Sequence, residues 1–282
     1  MTRSAWLAAA GLAALARGIA AQGDCFPSDT SHEARTMAIF DVPLAFSAAG
    51  APAERRAGSI SIGLEVTYLP KVDDSTATPT ICRPNKGPEH TNFLFAVPRP
   101  RVALGLPAGL LLEASWIPPL KLSDVKADIV GLALSRSTAL GTRGVVLDLR
   151  VHGAYGVIHA PITCDDAALQ DAASECFMGT RSNDAFKPNL WGADAAVGWP
   201  LGATLRPYIG AGYNHLAPRF QVNFTNQFAS TDRRKVTVDL DRAVLFAGVT
   251  WQARRLLDLS GEIYSAPTDA VTGRVTGRVR LR

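Results

Sequence analysis

Strict alternation of apolar and polar side chains is the feature that most constrains this chain. In residues 59–68 the apolar side chains fall on one parity, at Ile60, Ile62, Leu64, Val66 and Tyr68. Successive side chains of a strand point to opposite faces, so this pattern predicts a β-strand with one apolar face. The pattern recurs clearly in residues 145–155, 190–199, 205–214 and 242–252, and more weakly in 97–106, 110–117, 124–136, 256–263 and 273–282.

Composition narrows the classes of protein that these ten segments can build. The chain has 282 residues, of which 47% are hydrophobic, and no linker divides it. Beyond the N-terminus no run reaches the roughly 20 apolar residues of a membrane-spanning helix, which excludes a helical membrane protein. The formal charge of +4 comes from scattered basic residues. This distribution does not suggest a nucleic-acid surface, so no nucleic-acid partner is expected.

The N-terminus has the pattern of an export signal. An apolar run from Ala5 to Ala16 follows Arg3 and precedes small residues at Ala20 and Ala21. We expect residues 1–21 to be a cleaved signal peptide. Residues 22–56 are then an N-terminal segment, either a plug or a periplasmic extension, and residues 57–282 form the strand-rich domain.

The connections between the strands alternate in length. Those at 107–109, 137–144, 200–204 and 253–255 are brief, whereas 69–96, 159–189 and 214–238 are long. Transmembrane β-barrels of outer membranes have short periplasmic turns and long outer loops. Only the outward connection at 118–123 breaks the rule. We therefore predict an all-β fold: an antiparallel, up-and-down transmembrane barrel of about ten strands, within a range of about eight to twelve.

Aromatic residues on the apolar faces lie at strand ends. They predict two interfacial girdles, one at each membrane surface. The outer girdle comprises Tyr68, Trp116, Tyr155, Trp191 and Tyr213. The periplasmic girdle comprises Trp199 and Trp251.

The opposite faces carry many charges, which a barrel can direct into a polar lumen. The predicted lumen-lining residues are Glu65, Glu113, Asp148, Arg150, His152, Asp194, Arg206, Tyr208, Arg242, Asp258, Glu262, Arg274 and Arg278. A soluble sandwich or lipocalin-like barrel would have to expose this face to water. It would then bury a face made of small residues edged by tryptophan.

One strand adds a family resemblance. Residues 205–214, Leu-Arg-Pro-Tyr-Ile-Gly-Ala-Gly-Tyr-Asn, resemble the Pro-Tyr-X-Gly-X-Gly strand of small outer-membrane barrels of the OmpA-like and OmpW-like kind. The likeness covers about ten residues and implies the class, whose members are anchors, narrow channels or routes for small hydrophobic molecules. It also implies outer-membrane lipid and the barrel-assembly machinery as partners. The chain ends on Arg282, whereas many such barrels end on an aromatic residue that this machinery reads.

Four cysteines in an exported chain are expected to form disulfides. We expect Cys164 to pair with Cys176, which leaves Cys25 for Cys82. The second bond would carry the N-terminus to the outer side, which is the basis for the hypothesis that residues 24–56 thread the lumen as a plug.

Catalytic and cofactor motifs are weak. The histidines and cysteines show no metal-ligand spacing, and Gly-x-Ser-x-Gly and phosphate-binding loops are missing, so no enzyme activity, metal or cofactor is expected. His152 and Asp148 are about 13 Å apart along one strand, too far for a direct dyad. The expected function is a narrow passive pore or small-solute conduit. The alternatives are a closed structural or surface-binding barrel acting through its outer loops and, more remotely, an outer-membrane hydrolase.

Overall fold

The computed structural model describes residues 23–84 and 86–281. The predicted signal peptide, residues 1–21, lies outside them. Two α-helices, α1 (His32–Leu44) and α2 (Asp74–Ala77), and a 3-10 helix (Pro107–Gly109) accompany the strands. The strands are β1 (Ile60–Tyr68), β2 (Ala96–Gly105), β3 (Leu110–Ile117), β4 (Lys121–Leu122), β5 (Val125–Leu140), β6 (Val145–Ala160), β7 (Asp184–Lys187), β8 (Asn189–Gly198), β9 (Leu205–Leu216), β10 (Arg219–Gln221), β11 (Phe224–Thr225), β12 (Thr231–Asp232), β13 (Lys235–Thr237), β14 (Leu240–Arg254), β15 (Leu257–Ala266) and β16 (Ala270–Arg280).

Ten long strands in the described residues form a closed antiparallel barrel, as the alternation predicted. Its order around the wall is β1-β2-β3-β5-β6-β8-β9-β14-β15-β16. The first and last strands close it, with β1 paired to β16 from Ser61↔Arg280 to Thr67↔Arg274. Closure removes the unpaired strand edges that an open sheet would present to lipid.

The outer surface of the wall is apolar. Apolar side chains of one parity are exposed on every long strand, including β5, whose outward parity the sequence did not predict; Ile263 and Val275 expose 62% and 63% of their surface. A belt of aliphatic side chains around a closed barrel places the chain across a membrane, as in outer-membrane barrels. No helix in residues 23–84 and 86–281 is both long and apolar enough to cross a membrane.

The aromatic residues predicted for the girdles all lie at strand ends on this outer face. Trp199 and Trp251 are exposed beside the short connections, and the five others are exposed near the long ones. At the long-loop side, Trp191 packs against Tyr213 with ring centroids 6.0 Å apart. The Trp116 indole N–H donates to the Asp128 carboxylate at 3.0 Å. These amphipathic rings fit the two membrane interfaces.

We call the two mouths of the barrel the turn end and the loop end. Short connections such as the 3-10 helix and residues 141–144 lie at the turn end, and residues 69–95, 161–183 and 217–239 lie at the loop end. There, β7, β10 and β13 extend the wall of β6 as a small side sheet. Both expected disulfides are present, Cys25–Cys82 and Cys164–Cys176, with Cα–Cα distances of 5.7 and 5.6 Å.

Candidate functional site: the plugged lumen and an apolar pocket

Residues 23–56, here called the plug segment, occupy the lumen. The segment begins at the loop end, where Cys25 bonds to Cys82 and exchanges backbone hydrogen bonds with β13. Helix α1 follows, and its N-cap Ser31 accepts a hydrogen bond from the Ala34 N–H at 3.1 Å. The chain then descends in extended form and reaches β1 at the turn end.

Helix α1 ends at Leu44 deep in the barrel, where its last carbonyl groups need partners. The guanidinium of Arg99 donates to the Leu44 carbonyl at 3.1 Å. That of Arg274 donates to the Val42 carbonyl at 3.3 Å. A helix C-terminus carries partial negative charge, so two buried cations stabilise this end of α1.

Glu262 is the main attachment point of the extended part of the plug segment. Its carboxylate accepts hydrogen bonds from the Ser47 hydroxyl at 2.5 Å and the Ala49 N–H at 3.2 Å. It also accepts from the Tyr208 hydroxyl at 3.0 Å and pairs with Arg274 at 3.2 Å. One carboxylate thus links the plug segment to three strands, β9, β15 and β16.

A second charged cluster, on β1, β2, β3 and β16, also fixes the plug segment. Arg101 pairs with Glu65 at 2.5 Å and donates to the Ser47 carbonyl at 2.9 Å. Its guanidinium also lies over the Phe46 ring, 4.2 Å from the centroid, which is a cation–π contact. Glu113 continues the cluster by accepting from Arg278 at 3.1 Å.

A third cluster of charged and polar side chains lies in the lumen on β6 and β8. Arg150 pairs with Asp194 at 2.6 Å, and the His152 imidazole lies 3.4 Å from the same carboxylate. Asp148 accepts from the Ser137 hydroxyl at 2.6 Å. From the sequence, Asp148 was the candidate partner of His152, because both residues lie on β6. In the structure, the carboxylate that approaches His152 is that of Asp194 on the adjacent strand β8. Among the described residues no group of histidine, cysteine or acidic side chains forms a metal site.

The predicted lumen residues therefore fall into two sets. Those in the middle of the strands are brought together in the three clusters described above. The others lie at the mouths: Arg206 is exposed at the turn end, Asp258 pairs there with Arg280 at 2.9 Å, and Arg242 binds Asp269 at 2.5 Å at the loop end.

The plug segment and the charged clusters leave an apolar pocket at the loop end, with a volume of about 430 Å³. Its floor is α1, through Phe40 and Leu44. Strand ends contribute Ile117 and Ile129, and residues 91–95 of the first long loop form one side. Small-molecule binding sites are mostly apolar and have volumes of about 300–1,000 Å³, so this pocket has the size and lining of such a site.

This pocket was not predicted from the sequence. The signal was present in Phe93, Leu94 and Phe95, three apolar residues inside a loop where polar residues are the norm, and in Phe40 and Leu44 of the N-terminal segment. Their convergence depends on the path of the plug segment, which strand periodicity does not give.

No family model matches this chain, and no curated protein matches it. Among solved structures, the Ralstonia pickettii toluene transporter TbuX is similar with a TM-score of 0.31 and 10% identity, covering 92% of this chain and 96% of that one. The CymD monoaromatic hydrocarbon channel gives 0.37 and 10%, covering 80% and 67%. The N-terminal barrel domain of Pseudomonas aeruginosa OprF gives 0.29 and 12%, covering 80% and 100%. Such low similarity carries no functional argument, so the closed wall, apolar belt and girdles themselves define the molecule as a small outer-membrane β-barrel.

Proposed function

We propose that this barrel is a conduit for small apolar molecules, which it binds in the loop-end pocket. The pocket carries the proposal, because it is an apolar cavity next to lumen clusters of buried ion pairs. Its lining includes the rings of Phe40, Phe93 and Phe186 and offers few polar groups. Such a site favours uncharged, hydrophobic ligands, since burial of apolar area contributes about 25 cal/mol per Å².

The plug segment argues against a water-filled pore. Its contacts reach β2, β14, β15 and β16 through Arg99, Thr250, Glu262 and Arg274, so it bridges opposite parts of the wall. A hydrated ion crossing the barrel would have to displace this segment and separate buried ion pairs. Breaking one such pair costs about 3–5 kcal/mol.

The proposal involves no catalytic step. His152 and Asp194 are buried among lumen side chains, below the pocket. With the short turns facing the periplasm, the pocket faces the outer side of the outer membrane, where an apolar molecule from outside would first meet the protein.

A fluorescent apolar probe, N-phenyl-1-naphthylamine, tests the proposal on the full chain in lipid nanodiscs, with empty nanodiscs as the blank. The variant Ala127→Trp places a large ring in the pocket, which Ala127 lines. The control Ala247→Trp adds the same ring on the lipid-facing side of β14. We expect saturable binding by the unaltered protein and the control, weakened at least about tenfold in Ala127→Trp, which equals about 1.4 kcal/mol. Equal binding by both variants, or no binding above the blank, contradicts the proposal.

A further inference from the structure

The ladder of backbone pairing between β2 and β3 stops before these strands reach the loop end. In the described residues, the ladder between these strands runs from Gly105↔Leu111 to Arg101↔Ser115 and stops there. Strand β2 continues for five more residues to Ala96, all paired to β1, and β3 continues to Ile117, paired to β5. Each strand thus keeps its other neighbour while the ladder between the two is lost.

The sequence explains where the ladder stops. The Gly105 N–H donates to Ser59 and the Leu69 N–H donates to Phe95, so odd-numbered residues of this strand direct their backbone groups toward β1. Even-numbered residues therefore direct theirs toward β3, as the bond from the Leu106 N–H to the Leu110 carbonyl shows. Pro98 and Pro100 occupy the even positions beyond the last ladder pair and have no N–H to donate.

The apolar pocket reaches this unpaired stretch. Its lining combines inward side chains, Leu44 and Ile129, with Tyr68 and Pro98, which lie on the outward parity of β1 and β2. The pocket therefore has lining residues of both parities beside the unpaired stretch. Pro100 is opposite Leu64, four residues from the girdle residue Tyr68. At about 3.3 Å per residue and a tilt near 40°, this stretch reaches about 10 Å below the girdle.

We propose that the unpaired stretch between β2 and β3 is a lateral portal through which a small apolar molecule passes from the pocket into the outer leaflet. The inference rests on the proposed function and adds the route. It also explains why the plug segment can be fixed by a disulfide and buried ion pairs: the ligand leaves sideways, above the clusters, and the plug stays in place.

Closing the portal with a disulfide tests the route. The pair Pro100→Cys/Trp116→Cys lies one position beyond the last ladder pair, and the control pair Val102→Cys/Ala114→Cys lies within the ladder. The native cysteines are all in disulfides in the described structure, so non-reducing peptide mapping identifies the new bond. A second variant, Pro98→Thr/Pro100→Thr, restores the two N–H donors without a cross-link. Heat-modifiability on a gel selects the variants that have folded.

Two quantities are measured in nanodiscs: the equilibrium affinity for N-phenyl-1-naphthylamine and the rate of its release into the bilayer by stopped-flow fluorescence. We expect the affinities of all variants to lie within about twofold of that of the unaltered protein. The disulfide of Pro100→Cys/Trp116→Cys should slow release at least about tenfold, which corresponds to about 1.4 kcal/mol in the barrier to release. The Thr variant should slow release in the same direction, and the control disulfide should not. Unchanged release with unchanged affinity would overturn the portal and leave the proposed function standing, whereas absence of binding by the unaltered protein would overturn the function itself.

Discussion

Replacing Glu262 by glutamine should destabilise the folded barrel strongly, because this carboxylate satisfies four buried donors. One oxygen accepts from Ser47 and Arg274, and the other from Ala49 and Tyr208. Glutamine retains one accepting oxygen and puts an amide NH₂ in place of the other. The fixed Ala49 N–H or the charged Arg274 then loses its partner.

The size of the destabilisation follows from the burial of the ion pair between Glu262 and Arg274. Arg274 and Glu262 expose 0% and 1% of their side-chain surface. Removing one partner of a buried ion pair costs about 3–5 kcal/mol. Asp258→Asn is the matched control, because its partner Arg280 is about one-third exposed at the turn end. An ion pair in such contact with water contributes about 0–1 kcal/mol.

Urea unfolding of the refolded protein in detergent micelles, followed by tryptophan fluorescence, measures both variants. The expected result is a much lower unfolding midpoint for Glu262→Gln and a nearly unchanged midpoint for Asp258→Asn. Protease cleavage within residues 45–56 should also appear first in Glu262→Gln, because the plug segment has lost its main attachment. Equal midpoints for the two variants would refute the central role of Glu262.

Three further outcomes are expected. The full chain in planar bilayers should show no steady ionic conductance, since the plug segment occupies the lumen; a stable open state would contradict this. The double variant Cys25→Ser/Cys82→Ser should fold but lose about 4 kcal/mol, the chain-entropy value for a closed loop of this length, and should expose residues 23–31 to protease. The Glu33 carboxylate accepts hydrogen bonds from the backbone N–H groups of Thr80, Ile81 and Cys82 at 2.9, 2.7 and 2.8 Å. Burial alone would raise the pKa of Glu33, but the hydrogen bonds from Cys82 and Ile81 outweigh burial and lower the pKa below the ordinary 4.5. Its stabilisation is therefore present above pH 4.5 and lost as pH falls through the lowered value, so protease access to residues 23–31 should rise with acid in the natural chain and lose that dependence in Glu33→Gln.

Strand periodicity predicted the wall of this barrel well. The alternation in residues 205–214 and 242–252 matches β9 and β14, and residues 59–68 match β1 to within one residue at its start. Lipid on one side and a polar lumen on the other impose a strict two-residue period, which a single sequence displays. Prediction was weaker for residues 124–136, because their alternation did not show which parity faces outward, and for the connection predicted at 137–144, because β5 extends to Leu140.

The interior could be predicted only by residue type. Alternation indicates that Glu262 and Arg274 point inward, but their pairing depends on the register between β15 and β16, where Glu262 is directly opposite Arg274. The approach of Ser47 to Glu262 joins residues 215 positions apart, and no local pattern encodes it. Helix α1 was missed, since Pro43 lies within it and buried residues surround it on most sides. The short strands β7 and β10 to β13 were missed because each has only two to four residues.

The bond between Cys25 and Cys82 has a consequence for the order of biogenesis. The covalent ring that it closes contains the plug segment and the whole of β1, and it joins them at the loop end. With the turns facing the periplasm, this end lies beyond the membrane, whereas the oxidising machinery is periplasmic. We therefore expect oxidation to precede insertion, so that the remaining strands assemble around a plug segment that is already linked to the loop after β1.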